Sequence, residues 1–192
     1  LQYLAYRELK EAVKAHKAKS GSVVLLDAKT GEVLAMVNQP SYNPNDRSGL
    51  KVNALRNRAM TDQFEPGSTM KPLTIMAALE SGRFNPDTKI DTNPGFLRVG
   101  KKTVLDPVNY GVMDVGKVIQ KSSRVGLKKI SLDLDDDAIR DMFFRVGLGH
   151  CTGTGFPGEA VGVLPGYAKW QPIVQATCTF GHGISLTTLQ LA

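Results

Sequence analysis

The hydrophobic residues of this chain come in short runs, and none of the runs approaches the roughly eighteen apolar residues of a membrane-spanning helix. The 19 glycines and 10 prolines interrupt these runs without a fixed period, which excludes collagen-like and low-complexity chains. With 192 residues, 42% of them hydrophobic, the chain can bury a core of its own. We therefore expect a folded globular unit.

Charge and cysteine content exclude several functional classes. The net charge is +6, but only 7% of the residues are aromatic and no nucleic-acid-binding module is recognisable. Cys151 and Cys178 are too few for a disulfide framework and fit no zinc spacing. We expect no nucleic-acid partner, no metal and no cofactor.

The pattern of apolar residues predicts both helices and strands. In the first 15 residues the apolar positions recur with a period close to that of a helix, which predicts an amphipathic helix. Two runs with β-branched residues, at 22–27 and 32–37, predict a β-hairpin with Lys29-Thr30-Gly31 in its turn. The Pro- and Asn-rich stretch 39–58 predicts an irregular loop.

From residue 68 onward the predicted elements are mainly helices. A helix is predicted at 68–81, with Gly82 positioned to end it, and a turn-rich region at 84–112 contains a short strand-like piece at 96–99. Further helices are predicted at 114–120, 125–132, 137–146, 173–179 and 187–192. The fold class that follows is α+β, with a sheet hairpin packed on helices and a helical subdomain.

Ser68 and Lys71 are the candidate nucleophile and base. Ser68 begins the predicted helix at 68–81, and Lys71 follows three residues later on the same helical face. A serine hydroxyl is a weak nucleophile until a base removes its proton, and a lysine with a lowered pKa can be that base. The free N–H groups at a helix start also favour developing negative charge.

The bare Ser-x-x-Lys spacing is not specific. Ten serines and fifteen lysines give about 0.8 matches by chance, and the chain contains a second match, Ser48-Gly49-Leu50-Lys51. The second match lies in the predicted loop with no apolar period after it, whereas Pro72 is tolerated in the first turn of the helix that Ser68 begins. Context favours Ser68, and an ordinary capped helix with a solvent-facing lysine is the alternative.

Longer motifs carry a resemblance to a known family. They are PSYNPN at 40–45, RNRA at 56–59, FEPGSTMKP at 64–72, VGLG at 146–149 with GFPGE at 155–159, and FGHG at 180–183. These motifs extend over nearly the whole chain in the order of the family. The chain resembles the transpeptidase domain of division-associated class B penicillin-binding proteins of Gram-negative bacteria.

The resemblance implies a serine acyl-enzyme mechanism. Ser68 would attack the D-alanyl-D-alanine carbonyl of a peptidoglycan stem peptide, Lys71 would accept its proton, and the amine of a second strand would resolve the ester into a cross-link. Ser122, which begins the family's Ser-x-Asn motif, would shuttle the proton. β-Lactam antibiotics would acylate the same serine.

The resemblance also implies a cellular setting. Cross-linking would serve septal cell-wall synthesis on the periplasmic face of the inner membrane, with an anchor that is not in this chain. Divisome proteins such as a lipid II polymerase would be partners of the full-length relative.

Arg124 departs from the family's second motif, which has asparagine at this position. Asparagine offers both a donor and an acceptor, whereas arginine has donors only and a permanent charge. That charge could lower the pKa of Lys71, or the side chain could block the substrate amide. We expect altered or damaged activity, and restoring asparagine at 124 should raise acylation by a labelled penicillin. His182 stands where the family more often has tyrosine.

The family's third motif, Lys-Thr-Gly, is expected late in the domain, on a strand beside the nucleophile. Lys29-Thr30-Gly31 has the same residues but precedes Ser68 and occupies a predicted turn. We therefore expect residues 1–192 to be the N-terminal part of a transpeptidase domain, without the late strands of the sheet. Alone the chain should be a weak catalyst, because one oxyanion donor contributes about 10²- to 10³-fold in other serine enzymes.

Two other functions stay open, a serine β-lactamase and a non-catalytic relic of the transpeptidase fold. A dinucleotide site at 153–158 is disfavoured because no strand precedes the glycines. A calcium loop opening at Asp133 is disfavoured because Ala138 and Phe144 stand where glycine and glutamate are needed.

Overall fold

The chain contains both helices and short strands. The structure, a computed structural model, describes residues 1–46, 48–100, 102–135, 137–166 and 172–192. The helices and strands among them are, in chain order, α1 (Gln2–Ala15), β1 (Gly21–Leu26), β2 (Val33–Gln39), α2 (Val52–Leu55), α3 (Arg58–Thr61), a 3₁₀ turn (Gly67–Met70), α4 (Lys71–Glu80), β3 (Lys89–Asp91), β4 (Phe96–Val99), β5 (Lys102–Leu105), β6 (Val112–Asp114), α5 (Val115–Gln120), α6 (Arg124–Leu132), α7 (Ala138–Arg145), α8 (Pro172–Cys178) and α9 (Thr188–Leu191). Among the described residues, no helix combines the length and apolar character needed to cross a membrane.

The chain divides into two units. Unit 1 consists of Leu1–Phe64, His150–Gly162 and Leu186–Ala192, and unit 2 consists of Glu65–Gly149 and Val163–Ser185. Ser68, Lys71 and Ser122 all lie in unit 2, so the candidate site is described within that unit.

Unit 1 is organised around the predicted hairpin. β1 pairs antiparallel with β2, with Val23 opposite Val37. α1 packs on both strands, and a Cβ on Gly21 would lie 2.9 Å from Leu9 Cδ1, so this glycine permits the close approach of helix and strand. α3 and α9 also contact β1. The predicted first helix and hairpin are confirmed.

The turn of the hairpin explains the early Lys-Thr-Gly sequence. Asp27 Oδ1 accepts hydrogen bonds from the backbone N–H groups of Lys29 (2.8 Å) and Thr30 (2.9 Å). Gly31 has φ of +75°, a conformation that favours glycine. These residues are turn residues, as the sequence predicts.

The predicted irregular loop at 39–58 is wrong in part, because it contains α2 and the beginning of α3. Both helices are single turns. Asp62, at the end of α3, pairs locally with Arg58 (2.8 Å), and Asn38 Oδ1, on β2, accepts from Ala59 N–H (2.8 Å). Local composition does not reveal the contact with Asn38, which lies 21 residues from Ala59.

Unit 2 combines a helical core with two small sheets. α4 packs on α6 and α7, and the apolar core is built from residues that are almost fully buried, among them Ala78, Val125, Leu127, Ile130, Ile139 and Phe143. β3 pairs with β6 and β4 pairs with β5, both antiparallel. The helices predicted at 114–120, 125–132, 137–146, 173–179 and, in unit 1, 187–192 are confirmed to within one residue at each end. In the helix predicted at 68–81, the α-helical part, α4, begins three residues later than predicted. Of the short strands β3 to β6, only β4 was predicted, and it is the one with three apolar residues.

Lys128 is an unusual member of this core. It lies on α6, its side chain is 0% exposed, and its Nζ has no hydrogen-bond partner among the described residues. Burial lowers the pKa of Lys128 below the ordinary value of 10.5, since the charged form loses its hydration. An unpaired buried amine opposes folding.

Lys128→Met is therefore expected to stabilise the protein, raising the free energy of unfolding by about 1–3 kcal/mol. Because the folded-state pKa is lowered, the destabilisation by Lys128 is complete below that pKa and fades as the pH rises toward 10.5. Urea unfolding at neutral and alkaline pH measures both effects.

The matched control is Lys129→Met on the same helix. Lys129 Nζ donates to the Asp91 carbonyl oxygen at 2.5 Å. Because Lys129→Met removes this hydrogen bond, it should not raise the free energy of unfolding. Equal effects of the two substitutions would contradict the role given to burial of Lys128.

Candidate active site

Ser68 lies in the 3₁₀ turn, and Lys71 is the first residue of α4. Residues i and i+3 are eclipsed in a 3₁₀ turn, so both side chains leave the backbone on the same side. Pro72 falls in the first turn of α4, where its missing N–H is tolerated. The helix predicted at 68–81 is thus a 3₁₀ turn followed by an α-helix, and Gly82, with φ of +72°, follows its end.

Lys71 is held by Ser122. The lysine is 4% exposed, and its Nζ donates to the Ser122 carbonyl oxygen at 2.6 Å and to Ser122 Oγ at 2.7 Å. Ser122 Oγ in turn lies 3.5 Å from Ser68 Oγ, within hydrogen-bonding reach. The three side chains form a connected path from the Ser68 hydroxyl through Ser122 to the Lys71 amine.

The surroundings of Lys71 favour the neutral amine. Burial is the largest cause that lowers the pKa of Lys71 from the ordinary value of 10.5, and the positive charge of Arg124 lowers it further. The carboxylate of Asp106 opposes these effects. A neutral amine has a lone pair, which is what a base requires.

Ser122 has a strained backbone. Its φ is +53°, in the left-handed region that residues other than glycine rarely adopt. It sits between α5 and α6, and the N–H groups of Ser122 and Ser123 donate to the carbonyls of Ile119 (2.9 Å) and Val118 (3.0 Å). The end of α5 therefore fixes the conformation that turns Ser122 toward Lys71.

Asp106 anchors the next element. One of its oxygens accepts from Ser123 Oγ (2.6 Å), and the other accepts from the N–H groups of Arg124 (2.6 Å) and Val125 (3.3 Å). Asp106 directly follows β5, so it fastens the β4–β5 hairpin to the start of α6. Asp106 is not recognisable from the sequence, because no spacing links it to residues 17 to 19 positions away.

Ser68, Lys71 and Arg124 line one cavity of about 300 Å³. The remaining lining residues are Val99, Lys102, Thr103, Val104, Leu105, Thr177, Phe180 and His182. The structure therefore brings all four site residues of the sequence analysis together, since Ser122 joins this group through Lys71 and Ser68.

The loop with Phe180 and His182 supports the serine turn. Gly67 N–H donates to the Gly181 carbonyl oxygen at 3.1 Å. Glu65 accepts from Gly183 N–H at 2.8 Å and lies 3.3 Å from His182 Nδ1, and these contacts lower the pKa of the Glu65 carboxyl. His182 is thus tied to the segment that carries Ser68.

The other candidates discussed from the sequence are not among the residues that line this cavity. Ser48 lies in an exposed turn, where its Oγ donates to Asp46. The glycine-rich run 153–158 is a loop in unit 1. Burial raises the pKa of the Cys178 thiol to about 11. Among the described residues, no three His, Cys, Asp or Glu side chains are grouped so as to hold a metal ion.

Comparisons with known proteins show which family the sequence is similar to. The sequence model described as "Penicillin binding protein transpeptidase domain" matches residues 21–192. The chain is 47% identical to the probable peptidoglycan D,D-transpeptidase PenA of Neisseria flavescens, covering 100% of the chain and 48% of that protein. It is 46% identical to the peptidoglycan D,D-transpeptidase FtsI of Escherichia coli K12, covering 100% of the chain and 32% of that protein.

Solved structures show the same similarity. The transpeptidase domain of penicillin-binding protein 3 from Burkholderia pseudomallei matches with a TM-score of 0.88 and 39% identity, over 99% of this chain and 53% of that one. A structure described as a peptidoglycan glycosyltransferase from Burkholderia ambifaria matches with a TM-score of 0.89 and 41% identity, over 100% and 56%.

The chain belongs to the penicillin-binding protein transpeptidase domain family. The expected family and α+β fold class are both confirmed. The chain spans 48% and 32% of the lengths of the two curated relatives above.

Gly181→Ala is expected to displace the serine turn. A Cβ at this position would lie 2.2 Å from the Gly67 carbonyl oxygen and 2.7 Å from its nitrogen, and the φ of +73° adds strain. Because misplacement by about 1 Å can reduce a rate about 10²-fold, acylation of Ser68 by a labelled penicillin should fall at least tenfold.

Gly147→Ala is the control for backbone strain. Gly147 has φ of +90°, and a Cβ there would meet nothing within 4 Å. This variant should lose some stability and keep its acylation rate. An acylation rate for Gly181→Ala equal to that of Gly147→Ala would contradict the packing argument.

Proposed function

We propose that this chain provides the serine-bearing part of a peptidoglycan D,D-transpeptidase that works through a serine acyl-enzyme. The observation that carries the proposal is the path from Ser68 Oγ through Ser122 Oγ to the buried amine of Lys71. The names of the PenA and FtsI relatives support this activity.

The first chemical step is acylation of Ser68, with the proton moving through Ser122 to Lys71. Ser68 Oγ attacks the carbonyl carbon of a D-alanyl-D-alanine donor, passes its proton to Ser122, and Ser122 passes its own proton to neutral Lys71. For this transfer the Ser122 hydroxyl must donate to Lys71 Nζ, while an amine hydrogen still donates to the Ser122 carbonyl oxygen. The bond to the terminal D-alanine then breaks, and the departing amine takes the proton from Lys71.

The second step reverses the first. The ester on Ser68 is attacked by the amine of a second stem peptide, whose proton returns along the same path. An amide cross-link forms and the Ser68 hydroxyl is restored. A β-lactam follows the first step only, because its opened ring stays attached to the acyl group and blocks the approach of the amine.

The cellular role rests on the resemblance to division-associated relatives. We place the cross-linking in septal cell-wall synthesis during cell division, on the periplasmic face of the inner membrane. Stem peptides and β-lactam antibiotics are the proposed ligands. Divisome proteins, including a lipid II polymerase, are the proposed partners.

A labelled penicillin followed by mass spectrometry tests the proposal. We expect one covalent adduct per chain, located on Ser68, and no adduct on the Ser68→Ala protein. Release of the adduct should be slow, with little hydrolysis of nitrocefin.

The other outcomes decide against the proposal in different ways. Rapid nitrocefin hydrolysis would identify a β-lactamase. A folded protein that forms no adduct would identify a non-catalytic relic of the fold.

A further inference from the structure

The described ionisable groups that line the cavity beside Ser68 are all basic. The ionisable side chains that line it are Lys71, Lys102, Arg124 and His182, and no described acidic side chain lines it. Such a cavity attracts anions and disfavours cations.

The nearby carboxylates are engaged elsewhere. Asp106 accepts hydrogen bonds from Ser123 and from the first N–H groups of α6. Glu65 accepts from Gly183 N–H and contacts His182. Neither carboxylate forms an ion pair with Lys102 or Arg124.

The side chain of Arg124 lines this cavity. It forms no ion pair and no side-chain hydrogen bond with the described residues, whereas Arg83 pairs with Asp135 at 2.7 Å and Arg145 pairs with Glu80 in the same unit. A guanidinium carries five donors in a planar arrangement that matches the two oxygens of a carboxylate.

Hydrogen bonds hold the backbone at Arg124, where α6 begins. Asp106 accepts from Arg124 N–H at 2.6 Å, and the preceding residue, Ser123, is fully buried and accepts from Gly126 N–H at 2.9 Å. The side chain is therefore projected into the cavity from a well-held helix start. A positioned donor group with no internal partner is suited to bind a ligand.

We propose that Arg124 is a specificity-determining residue that binds a carboxylate of the acyl donor, so that this site selects donors with an additional negative charge. The proposal rests on the proposed transpeptidase function. The ligand class is a peptide or β-lactam with a carboxylate on its acyl side, beyond the carboxylate of its leaving portion. Arginine at 124 selects an anion because it has no acceptor to pair with the N–H of a neutral amide.

Three penicillins that differ only in carboxylates test this assignment. Benzylpenicillin methyl ester has none, benzylpenicillin has one on its ring, and carbenicillin adds a second on the acyl side chain. Their dissociation constants are measured by ligand-observed NMR with the Ser68→Ala protein, which binds without acylation.

Arg124→Asn in the Ser68→Ala background should weaken carbenicillin about tenfold or more. The ester should change by less than about threefold, because it offers no carboxylate. A large loss for carbenicillin alone assigns the acyl-side carboxylate. An equal loss for carbenicillin and benzylpenicillin, with the ester unchanged, would assign the ring carboxylate to this arginine and overturn the proposal.

Lys102→Gln is the matched control, because it removes one positive charge from the same cavity. It should weaken carbenicillin much less than Arg124→Asn does. Equal loss for all three penicillins, no loss for any of them, or the same loss with Lys102→Gln would overturn the proposal. The transpeptidase proposal is tested separately. It fails if the protein that retains Ser68 forms no covalent adduct on Ser68.

Discussion

The contact between the Lys71 amine and Ser122 is the interaction on which the site depends. Two short hydrogen bonds, to the carbonyl oxygen and to Oγ of Ser122, join the start of α4 to the connection between α5 and α6. The same burial that makes this contact possible lowers the pKa of Lys71. One structural feature thus supplies both the position and the protonation state that a base needs.

The rest of unit 2 holds the two ends of this contact in place. On one side, the glycine pair Gly67 and Gly181 lets the serine turn lie directly against the 180–183 loop. On the other side, Asp106 fixes the start of α6, next to the strained Ser122. Strain of this kind persists only where the surrounding structure determines it, and it is common at functional sites.

Much of the fold and part of the site could be predicted from the sequence. The helices of unit 2 were predictable because their apolar residues recur with a clear helical period. Ser68 and Lys71 were predictable because their spacing places them on one side of a turn. Ser122 depended on the family resemblance, since spacing alone does not connect it to Lys71.

The remaining features depend on contacts between distant parts of the chain. Asp106 reaches the start of α6 across 18 positions, and the one-turn helix α3 is held by Asn38 from the hairpin. Local propensity contains no information on either contact. The departure at Arg124 was visible in the sequence. The structure adds that its guanidinium has no partner among the described residues and that the described ionisable side chains of the cavity are all basic.

The most direct test of the proton path is the pH dependence of Ser68 acylation by benzylpenicillin, in the wild-type protein and in Ser122→Ala. The neutral lysine is the reactive form, so the wild-type rate should rise with pH through an ionisation below the ordinary lysine value of 10.5. Removing the Ser122 hydroxyl should lower the plateau about 10²-fold or more. A Ser122→Ala protein that reacts at the wild-type rate with the same pH profile would contradict the account.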